Sequence, residues 1–127
     1  MIPQDLKYTQ EHEWVRIEGA AAVVGITDHA QRALGDITYV DLPRVGTQVR
    51  QNESLSVIES VKAASDLFAP VDGTVAAVND TLNHAPDIIN RSPYGDGWIC
   101  RLNPFDRSEH AALLTPDEYE KLVAGKK

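Results

Sequence analysis

Apolar and polar positions in this chain alternate in short runs, and turn-forming residues interrupt them about every eight to twelve residues, the rhythm of an all-β domain. "HEWVRI" (12–17) and "AAVVGIT" (21–27) flank Glu18-Gly19 and predict a hairpin. "DITYVDL", "SLSVIES", "SDLFA", "GTVAAVN" and "GWICRL" predict five further strands. Two segments carry a helical pattern instead. Asp28 stands as the cap of a short helix, "HAQRAL", closed by Gly35. In "TPDEYEKLVAG" Thr115 is the cap, Pro116 takes the first helical position, Glu118 completes a capping box and Gly125 follows the end. Only Lys126 and Lys127 read as a disordered tail.

One pattern repeats. Pro43-Arg44-Val45-Gly46-Thr47 and Pro70-Val71-Asp72-Gly73-Thr74 share P-x-x-G-T, each ahead of a valine-containing strand. The shared residues are those that turns use anyway, but Lys62 falls between the copies. Two related halves of a flattened barrel would place Lys62 on the hairpin joining them, "ESVKAASD", at an exposed end of the sheet.

Composition narrows the function. A chain of 127 residues is the size of one ordinary domain, so residues 1–127 are expected to fold as a single unit. A formal charge of −7, with no cluster of Lys and Arg, argues against nucleic acid or an anionic membrane as partner and leaves basic proteins open. Cys100 is the single cysteine, which excludes an internal disulfide, a C-x-x-C redox pair and a multi-cysteine zinc site; any redox chemistry must be imported. No apolar run approaches the roughly 20 residues of a membrane span, and "MIPQDLKYTQ" lacks the regions of a signal peptide. The expectation is a soluble, cytoplasmic protein.

Lys62 is the candidate functional residue. Most lysines are solvated and serve solubility. Here Ser60, Ala63, Ala64 and Ser65 crowd around it, so an enzyme can close on this tip without meeting bulk. A Schiff-base lysine needs burial or a neighbouring cation to shed its proton, whereas the sequence neighbours Glu59 and Asp66 are anions. A Ser60/Lys62 nucleophile pair has no orienting group in the local sequence. A lysine presented for modification remains. Other candidates are weaker. Strand alternation would put His12 on the face opposite Glu11 and Glu13, and no H-E-x-x-H occurs, which argues against a metal there. His29, His84 and His110 are scattered, Trp14 and Trp98 read as packing residues, and Cys100 reads as a small buried hydrophobe.

The segments "HEWVRIEG", "VGITDHAQRALGDI", "VDLPRVG", "ESVKAASD" and "PYGDGW", in this order, together with "TPDEYEKL" at the end, resemble the glycine cleavage system H-protein family. Biotin carriers typically show Met-Lys-Met where this chain has Val61-Lys62-Ala63, and lipoyl domains of 2-oxoacid dehydrogenases usually carry an aspartate before the lysine. Arg91, Ser92 and His84 stand where the family usually has acidic residues. The resemblance implies a mainly β fold, a flattened hybrid barrel or sandwich of two related halves with short helices, an N-terminal hairpin extension and a C-terminal helix. It implies a non-catalytic, monomeric carrier whose Lys62 bears lipoic acid as lipoyl-lysine and shuttles an aminomethyl group. Its partners would be the PLP-dependent glycine decarboxylase, the tetrahydrofolate-dependent aminomethyltransferase and dihydrolipoyl dehydrogenase, with a lipoylating enzyme that reads Glu59. Glu13 and Asp66 match positions where carboxylates would shield the loaded arm. The runner-up is a relay that hands lipoyl groups to other lipoyl enzymes, and a Lys62-dependent enzyme is the third reading.

Overall fold

The structure is a computed structural model that describes residues 2–125, so the expected tail at Lys126 and Lys127 lies outside the described residues. In chain order the elements are β1 (Lys7–Tyr8), β2 (Glu13–Glu18), β3 (Ala21–Ile26), α1 (Asp28–Leu34), β4 (Ile37–Asp41), β5 (Gln48–Val49), β6 (Ser54–Ser60), β7 (Ala64–Phe68) and β8 (Gly73–Val78). A 3-10 turn (Asp80–Asn83), α2 (Ile88–Arg91), β9 (Cys100–Phe105), α3 (Arg107–Ala111) and α4 (Pro116–Ala124) complete the chain. One sheet runs β1-β2-β3-β9-β8-β5 and a smaller one β4-β6-β7, so the domain is an open, mainly β sandwich with few helices, as the sequence predicts.

The core lies between these sheets, where Val15, Val24, Ile58, Leu67, Val75 and Leu102 are buried. A second cluster joins Leu6, Tyr8, Trp14 and Val23 to Tyr119 of α4, with the Tyr8 and Tyr119 rings stacked at 4.6 Å. Strands β2 and β3 therefore bury both faces at their centres, which explains the unbroken apolar run "AAVVGI". In β4 a register shift between Ile37 and Tyr39 brings Ile37 and Val40 both inward, three positions apart, where plain alternation would expose one of them.

The repeated P-x-x-G-T segments meet. Gln48 pairs with Thr74 and Val49 with Gly73, while Gly46 N–H donates to Val75 O at 2.7 Å and Val75 N–H to Thr47 O at 2.8 Å. The two copies lie antiparallel, side by side, and the β6–β7 hairpin carrying Lys62 lies between them in the chain.

Three expectations are corrected. The cap of α1 is Thr27, in extended conformation, whose Oγ1 accepts the Ala30 N–H at 3.2 Å; Asp28 is the first helical residue and binds Gln31 and Arg32. The last long strand begins at Cys100 and runs to Phe105, because Gly97 is still in the preceding turn. His12 has a left-handed backbone (φ 72°) outside any strand, so alternation says nothing about its face. The α4 capping box forms as predicted.

Gly25 stands against Trp14. A Cβ there would lie 2.5 Å from the indole, which is fully buried and fixed by Nε1 donating to Pro93 O at 2.9 Å. Gly25→Ala should lower the urea midpoint, losing about 1–3 kcal/mol with an unchanged m-value. An unchanged midpoint would show that the indole has room to yield.

Candidate modification site

Strands β6 and β7 form a hairpin closed by Val61, Lys62 and Ala63. Ser60 clamps this tip: its N–H donates to Ala63 O at 2.8 Å, and its Oγ accepts the N–H groups of Lys62 (3.3 Å) and Ala63 (3.1 Å). A serine hydroxyl can hold a tight turn in this way. The sequence reading valued Ser60 for its small size and missed this role. Val61 N–H leaves the hairpin and donates to Asp36 O at 3.0 Å, tying the tip to the connection between α1 and β4. Lys62 is exposed, and its amine has no hydrogen bond or ion pair among the described residues. Two large apolar side chains nearby in the fold are open to solvent: Val61, next to Lys62 in the chain (68% exposed), and Tyr39, in register with Glu59 (51%).

The three other predicted site residues lie in different settings. Glu59 is exposed on β6, in register with Tyr39 and Ala64. Asp66 is exposed on β7 opposite Val57 and accepts the Ser54 hydroxyl at 3.0 Å. From the Glu59–Ala64 row to the Val57–Asp66 row is two residues, about 7 Å of strand. Glu13, unlike Glu59 and Asp66, is buried. It is 3% exposed, and its carboxylate accepts the Thr9 hydroxyl and the Phe68 N–H, the latter at 3.0 Å. It therefore bridges β2 of the large sheet to the end of β7 in the small one. Burial pushes its pKa up to about 7 in spite of both hydrogen bonds. Glu13, Thr9, Gln51, Asn52 and Leu113 line a cavity of about 300 Å³.

Most of the other chemically suggestive residues are engaged in packing or hydrogen bonds. Burial lifts the Cys100 thiol to about 12, which leaves it inert. His12 and His29, far apart in sequence, stack at 4.4 Å, and His12 Nδ1 is hydrogen-bonded to Tyr119 OH at 2.8 Å. His84 is exposed, and His110 meets Phe105 edge-on. Trp14 packs as expected, and Trp98 lies under the Arg101 guanidinium at 4.3 Å. In "PYGDGW", Pro93 O takes the Trp14 indole N–H, Tyr94 O takes Arg16, and Tyr94 OH accepts the Asp28 N–H. Arg91 pairs with Asp87 at 3.4 Å, and Ser92 Oγ accepts the Asp96 N–H. Asp72, Asp106 and Glu109 converge, yet an oxygen of each already accepts backbone N–H groups.

Among the described residues no helix is long and apolar enough to cross a membrane. A family model described as "Glycine cleavage H-protein" matches residues 6–126. A glycine cleavage system H protein of Halorhodospira halophila is 52% identical over 124 residues, covering 97% of this chain and 95% of its own length. One from Rubrobacter xylanophilus is 54% identical over 120 residues, covering 94% and 93%. The crystal structure of a glycine cleavage system H protein from Mycobacterium marinum superposes with a TM-score of 0.87 at 40% identity, covering 97% of this chain and 99% of that one.

Glu13 generates a pH prediction. Its folded pKa, about 7, lies above the ordinary carboxyl value of 4.5. Between these values the folded state holds the extra proton, so this group's contribution to stability falls as pH rises from about 4.5 to 7. The full effect is on the order of 3 kcal/mol. Glu13→Gln should lack this slope. Urea unfolding of both proteins at intervals from pH 5 to 8 measures it, and parallel profiles would show that Glu13 ionises normally.

Proposed function

The chain belongs to the glycine cleavage H-protein family, the lipoyl carrier of the glycine cleavage system, and we propose that Lys62 is its attachment site. The observation that carries this is the hairpin tip: an exposed, unpaired amine on a three-residue turn whose backbone is held by Ser60 and Asp36. An acyl group fits there without displacing any contact of Nζ. Bound as an amide, lipoic acid supplies a disulfide that accepts a one-carbon amine unit and is recovered as a dithiol for reoxidation.

The chain's own contribution is presentation. Ser60, Ala63, Ala64 and Ser65 keep the tip narrow, so that glycine decarboxylase, aminomethyltransferase and dihydrolipoyl dehydrogenase can each close over it. Tethering the reactive group to one protein replaces free diffusion with a high effective concentration. Glu59 offers the lipoylating enzyme an exposed charge one residue before the turn clamp. The chain works as a non-catalytic monomer in the cytoplasm and lends no acid, base or nucleophile to these reactions. Asp66, exposed on the strand leaving the tip, and Glu13, in the wall of the 300 Å³ cavity, receive the cationic end of the loaded arm. At the buried Glu13 a charge-assisted hydrogen bond would contribute roughly 1.5–3 kcal/mol, and at the exposed Asp66 far less.

Intact-mass and peptide analysis of protein from lipoate-competent cells should locate one lipoyl group on Lys62. Lys62→Arg should abolish the gain, since arginine keeps the charge without the acylable amine. Glu59→Ala should be modified several-fold more slowly while its stability stays within about 0.5 kcal/mol of wild type. A lipoyl group on Lys7 or Lys121 would overturn the assignment. Asp66→Ala should accept lipoate normally yet release ammonia and formaldehyde faster from the loaded carrier when no transferase is present; wild-type rates would remove Asp66 from the shielding role.

A further inference from the structure

The side chain of Asn90, far from Lys62 in sequence, makes three hydrogen bonds, two of them to one short connection. Its Oδ1 accepts the Ile37 N–H at 2.9 Å, and its Nδ2 donates to Gly35 O at 2.9 Å and to Gln31 Oε1 at 2.8 Å. Gly35 closes α1, and Ile37 opens β4. One carboxamide on α2 thus grips both ends of the link Gly35-Asp36-Ile37. The middle residue of that link offers the carbonyl that holds Val61 N–H at 3.0 Å.

The lysine itself rests on the same link. Gly35 has φ 80°, a backbone that L side chains rarely adopt, and a Cβ built there would lie 3.3 Å from Lys62 Cε and 4.0 Å from Val61 Cγ2. The stem of Lys62 therefore crosses the bare Cα of Gly35. Strand β4 reaches the hairpin only as far as the Ile37–Ser60 pair. Beyond that row, the Val61–Asp36 bond and the Gly35 contact tie the tip to the rest of the domain.

We propose that Asn90 is a positioning residue for the acylation of Lys62, fixing the ledge on which the lysine is presented to the lipoylating enzyme. The proposal rests on the assignment of Lys62 as attachment site. In the step concerned, neutral Nζ attacks the acyl carbon of a lipoyl adenylate. The C–N bond forms and adenosine monophosphate leaves with the electron pair of the acyl–oxygen bond; of the three ammonium protons one passes to solvent before the attack, one after it, and the third stays on the amide nitrogen. Asn90 touches none of these atoms. It sets the fraction of molecules whose tip has the conformation the enzyme binds. Lowering that fraction raises the apparent dissociation constant in proportion and leaves the bound complex unchanged. The signature is a raised KM with kcat preserved.

The test is steady-state lipoylation of the full unmodified chain at 25 °C by a lipoate–protein ligase with lipoate and Mg-ATP. Asn90→Ala should raise the KM for the carrier about ten-fold with kcat within two-fold. Asn90→Asp keeps the acceptor for Ile37 but loses the donor to Gly35, and should raise KM by a smaller factor. A merely structural Asn90 would lower the melting temperature and leave the KM of the folded protein unchanged. Hydrogen exchange of the wild-type chain gives a measurement that needs no variant: the Ile37 and Val61 amides should open together. Wild-type KM in a folded variant, or Val61 exchanging a hundred-fold faster than Ile37, would overturn the proposal, and the exchange result decides if neither variant folds. A wild-type chain that is not acylated at Lys62 at all would remove the attachment assignment, and this inference with it.

Discussion

Among the described residues one backbone hydrogen bond, Val61 N–H to Asp36 O, joins the lysine tip to the body of the fold, and the packing on either side of the hairpin holds the two groups in reach of each other. A two-stranded hairpin is marginal in water without further packing. The β6–β7 hairpin gains a third strand in β4, whose register shift lets both Ile37 and Val40 reach the core. At its other end Ala69 N–H donates to Glu53 O, Asn52 N–H donates to Ala69 O, and Phe68 N–H reaches across to Glu13. Both ends of the hairpin are fixed, while the Lys62 amine has no polar partner among the described residues.

This division suits a protein whose chemistry belongs to its cofactor. An enzyme must place several reactive groups around a substrate, whereas a carrier must place one amine where other proteins can reach it. The segments that look most reactive are accordingly consumed in holding the frame. "PYGDGW" supplies carbonyls and a phenol to β2 and α1, the histidine pair packs against Tyr119, and Cys100 is sealed in the core.

Local signals in the sequence were legible where the physics is local. The α4 capping box and the Glu18-Gly19 hairpin depend on residues within a few positions of one another and appear as read, whereas the two-residue strands β1 and β5 carry too little pattern to be seen in the sequence. The P-x-x-G-T echo, slight as a pattern, marks two segments that pair in space. The cap of α1 was misplaced by one residue because Thr27 and Asp28 are both good caps, and the extended backbone leaving β3 selects Thr27. The burial of Glu13 and the role of Asn90 were illegible for a different reason. Their partners, Phe68 and the Gly35–Ile37 link, lie more than fifty residues away, and no periodicity records such a contact.

Glu13 shows why a buried acid can be useful between two sheets. A glutamine there could still accept one hydrogen bond and would be free of the penalty that burial places on a charge. With a pKa of about 7, the carboxyl instead sits near the midpoint of its titration at neutral pH. A cation entering the neighbouring cavity stabilises the charged form and drives the proton off. The carboxyl thus bears its desolvation penalty mainly while a cation is present to offset it, and relaxes toward the neutral acid when the cation leaves. Its hydrogen bonds to Thr9 and Phe68 aim it from the base of the lysine hairpin. The group that joins the sheets is thereby set to give up its proton when a positive charge comes near.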